Sequence, residues 1–249
     1  MRIELLLIGD ELLTGKLDPY PSEMIRVMRE KGASVSHLAI ATDDVESIVE
    51  ELAGSEKRRT TLLVVTGGLG PTLDDVTRKA VASYLGVELV LNDEAAGWLK
   101  TSLERMHGKR TPLTPEALQM AKVPEGAKAL SNPVGAAAGI EAIKGNMRIV
   151  CLPGFPREMM AMFRLHVLPT IEADGLVERE ARVKLRETLL EPLFQRVVKE
   201  HPVRIASLPK EDWRENGNVV LIRGKPEDTD KAMDLFLRLV EAAKDRRSE

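Results

Sequence analysis

The sequence predicts an α/β protein: a mostly parallel sheet covered by helices on both faces over residues 1–172, then a small α+β domain over residues 176–249. Three observations lead there. Short apolar runs alternate with stretches of helical periodicity through the larger part of the chain, the pattern of strand–helix–strand units with right-handed crossovers. Such units place helices on both sides of a parallel sheet, which makes the strands continuous apolar runs, as in TLLVV. After Pro169–Gly175 the alternation restarts as a separate set of elements.

Taken in order, RIELLLI is a short apolar run ended by Gly9 and forms the first strand. Met24, Ile25, Val27 and Met28 recur at helical spacing, so a helix covers residues 21–31 and Gly32 stops it. SVSHLAIAT alternates and is β-branched, giving a second strand, and Asp43 with Glu46 has the form of a capping pair for a helix over 44–53. TLLVVT is the third strand. Val76, Ala80, Val81 and Leu85 share one side of the helix expected over 73–84. A strand at VELVL, a helix over 92–106 and a shorter one over 114–121 continue the pattern.

GIEAIKGNMRIVCL, residues 139–152, breaks the rhythm. Lys144, Gly145 and Asn146 make a tight turn that tolerates positive φ, so the flanking strands pair as a hairpin. An antiparallel hairpin sets the start of one strand beside the end of the other. SNPVGAAAG, before it, and LPGFP, after it, therefore meet at one sheet edge. A helix over 156–167 closes the first domain.

Composition narrows the function classes. Of 249 residues, 43% are hydrophobic and 30% charged, the profile of a globular protein with room for one domain plus a small one. A net charge of -3 and 3% aromatic residues provide neither a field for phosphate backbones nor platforms for base stacking, which argues against nucleic acid as a partner. The basic run Lys57, Arg58 and Arg59 reads as a solvated loop. The single cysteine, Cys151, lies in an apolar run and reads as a buried, inert thiol. MRIELLLIGDELL is too short and too acidic for a signal peptide or a membrane span, so a cytoplasmic protein without a membrane partner is expected.

Five loops rich in glycine, proline and aspartate end the strands or flank the hairpin: GDELLTGK, ATDD, TGGLGPTLDD, SNPVGAAAG and LPGFP. In open α/β sheets the ligand crevice lies outside the carboxyl ends of the strands, where these loops converge. Gly67, Gly68 and Gly70 let the chain turn sharply and expose N–H groups, with a helix aimed at the same place, which is an anion cradle suited to phosphate. It is not a Walker A loop, since Gly9 and Gly15 enclose five residues and Leu17 follows Lys16; nor is it a dinucleotide fingerprint, since Leu73 stands where a glycine is required. The acids have two readings. Thr72 with Asp75 could cap the helix, with Asp74 favouring its dipole. Alternatively, carboxylates beside a bound anion require a cation between them, and Asp74, Asp75 and Asp10 would then be ligands for magnesium or manganese. Asp43 and Asp44 read as helix caps; Lys16 and Arg78 could neutralise phosphate, although Arg78 is equally suited to a surface pair with Asp74.

IGDELLTGK, TGGLGPTLDDVT, NPVGAAAG and LPGFPREM, in this order, resemble the molybdopterin-binding MoaB/MogA-like family, and within it the amino-terminal part of CinA-type proteins. The resemblance implies a three-layer MogA-like domain, often oligomeric, so a homo-oligomer (dimer or trimer) is expected. It implies either molybdopterin binding and adenylylation or metal-dependent cleavage of the pyrophosphate in ADP-ribose or FAD, with a nucleotide or pterin as the small-molecule ligand. Carried onto matching positions, Asp74 and Asp75 would hold metal or position water. Gly67, Gly68, Gly70 and Thr72 would bind phosphate, and Asp10, Asn132, Gly135, Gly139, Pro153, Gly154 and Glu158 would line the pocket. Two departures stand out: CinA relatives commonly show NPVGTAPG, where this chain has Ala136 and Ala138, and often have asparagine near Tyr20. A nicotinamide-nucleotide deamidase domain, joined to many CinA proteins, does not follow the small domain in this sequence, so that activity is not expected.

Overall fold

The computed structural model describes residues 1–15, 21–108 and 111–245. Its chain divides into two units, Met1–Glu172 and Ala173–Glu249. The first unit runs β1 (Ile3–Ile8), α1 (Asp10–Leu13), α2 (Pro21–Glu30), β2 (Val35–Ala41), α3 (Val45–Lys57), β3 (Leu62–Thr66), α4 (Thr77–Leu85), β4 (Leu89–Leu91) and α5 (Asp93–His107). It continues with α6 (Pro115–Gln119), β5 (Lys122–Pro124), β6 (Lys128–Leu130), β7 (Gly139–Lys144), β8 (Met147–Leu152) and α7 (Pro156–Met162). A π-helical turn at Phe163–Val167 and a 3-10 turn at Leu168–Thr170 follow.

Six strands form one sheet in the order β2-β1-β3-β8-β7-β6. β2, β1, β3 and β8 are mutually parallel, while β7 is antiparallel to both β8 and β6. Alternate side chains sort to the two faces, as the strand period of two requires. Leu6, Ile8, Leu63 and Val65 pack with Ile48, Leu52, Ala80 and Val81 of α3 and α4 on one side. Leu5, Val64, Val150 and Leu152 pack with Met24 and Met28 of α2 and with Met159 and Phe163 on the other. The result is a mixed α/β, three-layer domain with the MogA-like fold, its site-bearing loops all leaving one edge of the sheet.

Several local expectations are corrected. The VELVL strand does not join the main sheet: β4 pairs only with β5, in a separate two-stranded ribbon. Three residues long and partly exposed at Val90 and Leu91, it has too little apolar surface for a central position. The short strands β5 and β6 carry too few residues to show a period, and sequence reading misses both. The fourth helix starts at Thr77 and not near residue 73, because the acids and Thr72 bond among themselves in a turn ahead of it. Asp44, not Asp43, caps α3, accepting from the Ser47 N–H at 2.9 Å.

The second unit contains β9 (Val177–Val183), α8 (Glu187–Glu200), β10 (Arg204–Leu208), α9 (Trp213–Asn216), β11 (Asn218–Gly224) and α10 (Pro226–Asp245). Its strands form an antiparallel sheet in the order β10-β11-β9. Val220 and Ile222 of β11 share a core with Leu190 and Val197 of α8 and Phe236 of α10. Among the described residues, no helix is long and apolar enough to cross a membrane.

The basic run before β3 also differs from expectation. Arg58 is not simply solvated: its guanidinium pairs with the fully buried Glu4 of β1 at 2.9 Å, while Ser55 donates to the same carboxylate. Burial alone would raise the Glu4 pKa, but hydrogen bonds from Arg58, Ser55 and Arg2 outweigh it and hold the group below the usual carboxylate value. Arg58→Ala leaves that charge buried and underpaired and is expected to cost about 2 kcal/mol, less than a fully buried pair because Arg58 is partly exposed. Because the folded pKa lies below the unfolded one, the contribution is complete above the ordinary carboxylate range and is lost as pH falls through the folded value. In paired urea melts, the wild type is expected to lose its advantage over Glu4→Gln as the pH falls from neutral to below the ordinary carboxylate range.

Candidate functional site

The parallel strands β1, β3 and β8 end in register, with Leu7 beside Thr66 and Thr66 beside Leu152. The next residues are therefore brought together: the Gly67 N–H donates to the Leu152 carbonyl oxygen at 3.0 Å, and the Gly9 N–H donates to Ala41 at 3.1 Å. Gly67 has φ +104°, and a Cβ there would collide with the Ile8 carbonyl oxygen. Only glycine lets the two strand ends approach this closely.

From Gly67 the chain makes a closed loop. Thr77 ties its base, its hydroxyl donating to the Gly67 carbonyl oxygen at 2.8 Å. Asp75 ties its tip, accepting from the N–H of Gly70 at 2.6 Å, the N–H of Thr72 at 2.8 Å and the Thr72 hydroxyl. Between these ties, the N–H groups of Gly68 and Leu69 have no acceptor among the described residues. Adjacent open amides of this kind form an anion-binding concavity.

The structure separates the expected acids. Asp75 spends its carboxylate on the loop and Thr72 spends its hydroxyl on Asp75, whereas Asp74 is exposed. Asp10 and Asp43 exchange hydrogen bonds across the first two loops: the Asp10 N–H donates to Asp43 Oδ2 at 3.0 Å and the Asp43 N–H to Asp10 Oδ1 at 3.2 Å. Burial raises the Asp43 carboxyl above its ordinary value; the Asp10 N–H opposes this, and the charges of Glu11, Asp10 and Asp74 push it further up. Asp10, Asp43 and Asp74 thus share one field of excess negative charge. Asp43 is a site residue that the sequence reading missed, and the signal was available: of two adjacent acids only one can cap the helix.

Among the described residues, no three His, Cys, Asp or Glu side chains are grouped to hold a metal ion. Asp10, Asp74 and Asp75 therefore do not form a ready-made ligand set, Asp75 being turned into its own loop. A magnesium-like ion that shares its sphere with phosphate oxygens needs only one or two carboxylates.

The hairpin delivers the other loops. The Asn132 side-chain amide donates to Glu158 Oε2 at 2.7 Å and to the Ala137 carbonyl oxygen at 3.0 Å, while its Oδ1 accepts from the N–H groups of Val134 and Gly135. A Cβ on Gly135 would overlap the Glu158 carboxylate, and one on Gly139 would sit 2.7 Å from the Cys151 carbonyl oxygen. Asn132, Gly135 and Glu158 are thus one connected group, Gly139 is packed beneath it, and Pro153 and Gly154 form the start of the β8–α7 turn.

Arg78 does not form the surface pair with Asp74 that its spacing allows. It is buried, and its guanidinium donates to the carbonyl oxygens of Met120 at 3.1 Å and Ala138 at 3.4 Å, with Gly70 at 3.5 Å. Desolvation lowers its pKa to about 10, against the opposing pull of Asp75 and Cys151. The Cys151 thiol is buried and pushed up to about 12, which agrees with an inert core residue. Lys16 and Tyr20 lie outside the described residues.

Residues 4–173 match the family described as "Probable molybdopterin binding domain". The chain belongs to this family. A Pyrococcus furiosus protein is 35% identical to this molybdopterin-binding-domain protein over 244 residues, covering 96% of each chain. A Thermococcus kodakarensis protein is 37% identical over 216 residues, 84% of this chain and 86% of that one. Among solved structures, the protein CinA from Thermoplasma acidophilum superposes with a TM-score of 0.60 at 29% identity, over 66% of this chain and 96% of that one.

The glycine argument has a direct test. Gly67→Ala meets both a positive φ and a backbone oxygen, so it is expected to cost at least about 2 kcal/mol. Gly86→Ala, at φ +74° with nothing within 4 Å, is expected to cost only about 1 kcal/mol. Urea midpoints of the two variants measured side by side check the difference.

Proposed function

We propose that this molybdopterin-binding-domain protein is a divalent-metal-dependent nucleotide pyrophosphatase acting on dinucleotides of the ADP-ribose or FAD type. The observation that carries the reading is the junction of two opposites: open N–H groups at Gly68 and Leu69, and the carboxylates of Asp10, Asp43 and Asp74 beside them. An anion alone is repelled by those acids, and a cation alone finds the amides facing it with the wrong sign. A diphosphate accompanied by a metal ion satisfies both.

In this reading the Gly68 and Leu69 N–H groups donate to a phosphoryl oxygen and stabilise the charge that grows on it during attack. Asp74, exposed at the loop tip, orients a water molecule, and Asp10 and Asp74 would hold a magnesium or manganese ion. When bound, that ion polarises the phosphoryl group and acidifies water. Asn132, Gly135 and Glu158 shape the opposite wall, with Gly139, Pro153 and Gly154 behind them. In the net reaction water oxygen bonds to one phosphorus and the bridging P–O bond breaks: ADP-ribose yields AMP and ribose 5-phosphate, and FAD yields AMP and FMN. The protein acts as a cytoplasmic homo-oligomer, a dimer or trimer, which light scattering on the purified chain measures.

A second reading, molybdopterin binding or adenylylation, is favoured by the description of the family to which the chain belongs. The same cradle accommodates a pterin phosphate. Retention of a pterin through purification, or ATP-dependent adenylylation of one, distinguishes it from the hydrolase.

Incubation with ADP-ribose or FAD and a series of divalent cations tests the first reading. Turnover is expected with magnesium or manganese, abolished by chelator and reduced at least about 100-fold in Asp74→Ala. No turnover with any cation, or turnover unaffected by Asp74→Ala, overturns it.

A further inference from the structure

The phosphate loop has a second side. Behind residues 70–75 lies a pocket of about 290 Å³ between the loop, the start of α4, β4 and α6. Pro71, Leu73, Leu89 and Pro115 supply apolar walls, and Lys79, Glu116 and Gln119 are among the polar ones. The pocket and the open amides share one loop: Leu69 is one residue from Gly70, the first lining residue, so a ligand held at the amides lies within a few ångströms of the pocket wall.

We propose that this pocket receives the planar nitrogen heterocycle of the ligand whose diphosphate occupies the cradle, with Leu73 and Gln119 as its specificity-determining residues. The inference rests on the diphosphate reading above and adds what selects the rest of the ligand.

Four features carry it. The volume stands at the lower bound of ligand sites, which suits one ring system and not a whole dinucleotide. Leu73 is 97% exposed, the most exposed of the large apolar side chains described, and it stands at the rim of this pocket. Covering its side chain with an apolar ring would remove that area from water, a favourable contribution to binding. Proline and leucine walls offer such a ring two faces. The polar groups then favour one kind of edge: the Gln119 Nε2 donates to the Pro115 carbonyl oxygen at 3.2 Å, which leaves its Oε1 to accept, and the Glu116 carboxylate accepts as well. Two acceptors beside the Lys79 ammonium suit a ring edge that carries both donors and an acceptor, such as the amino edge of adenine or of a pterin, or the imide of a flavin. Buried Arg78 completes the wall and fixes the loop through Gly70.

Calorimetric titration of the full chain in magnesium, with inorganic pyrophosphate and with ADP as probes, tests the proposal. ADP is expected to bind at least about tenfold more tightly than pyrophosphate, the increment of one buried ring. Leu73→Ser, at an exposed position that folding does not need, is expected to weaken ADP about tenfold, and Gln119→Ala about fivefold, while pyrophosphate changes less than about twofold. Equal affinity for the two probes in the wild type, or ADP binding untouched by both variants, overturns the ring pocket and leaves the cradle standing. Failure of both probes to bind the wild type overturns the diphosphate reading and this proposal with it. Substituting a pterin phosphate for ADP distinguishes the two ring sources: the one whose affinity falls in Leu73→Ser is the occupant.

Discussion

The arrangement of this site depends on one carboxylate that faces inward. Asp75 gathers the Gly70 N–H, the Thr72 N–H and the Thr72 hydroxyl, and by doing so it fixes a loop that would otherwise have many glycine conformers to choose from. Charge-assisted bonds to backbone N–H groups are strong because the acceptor is ionised and the donors cannot turn away. Closing the tip at residues 70–75 leaves the Gly68 and Leu69 N–H groups without an acceptor among the described residues: the chain between two fixed points has no freedom to find them partners. An unpaired amide at a buried residue such as Leu69 is unfavourable. The stabilisation of the fold by the packed sheet below makes that cost bearable, and a bound anion removes it.

Under the proposed function, acids stand beside an anion site. Asp10 and Asp43 are locked to each other's backbones across the ends of β1 and β2, so neither can swing away, and the Asp43 carboxyl is raised by burial first and then by the charges of Glu11, Asp10 and Asp74. Like charges held in place by hydrogen bonds are a form of preorganisation, arranged for the cation and phosphate that the proposed function requires.

Much of the architecture was legible because it follows from periodicity. The buried parallel strands have nearly unbroken apolar runs, and the turn at Gly145 dictates a hairpin whose ends must meet, which is how Asn132 and Glu158 come within hydrogen-bonding distance from loops 26 residues apart. What was not legible involves short elements and side-chain direction. β4, β5 and β6 have three residues each, too few to show a period. Thr72, Asp74 and Asp75 have the spacing of a helix cap, and nothing in that spacing says that the helix starts after them; the decision lies with Gly70, whose lack of a Cβ lets the Asp75 carboxylate close in on its N–H. Arg78 misled for a related reason, since a position one turn from an acid predicts a pair only when both side chains point to solvent.

That arginine bears on how the site manages charge. Its donors reach carbonyl oxygens from three segments, at Gly70, Met120 and Ala138, so it joins the phosphate loop to the end of α6 and to the loop before β7. No carboxylate pairs with it directly among the described residues; Asp75 acts on it only through space. A guanidinium held by carbonyl dipoles keeps most of its field, and burial shields that field from salt, unlike that of a surface lysine. In the proposed function this buried guanidinium lowers the cost of placing phosphate beside Asp10, Asp43 and Asp74 without touching the ligand. Because its contacts are to backbone, they survive the change of neighbouring side chains at Ala136 and Ala138, so the departure of that loop from the common CinA pattern leaves this support in place.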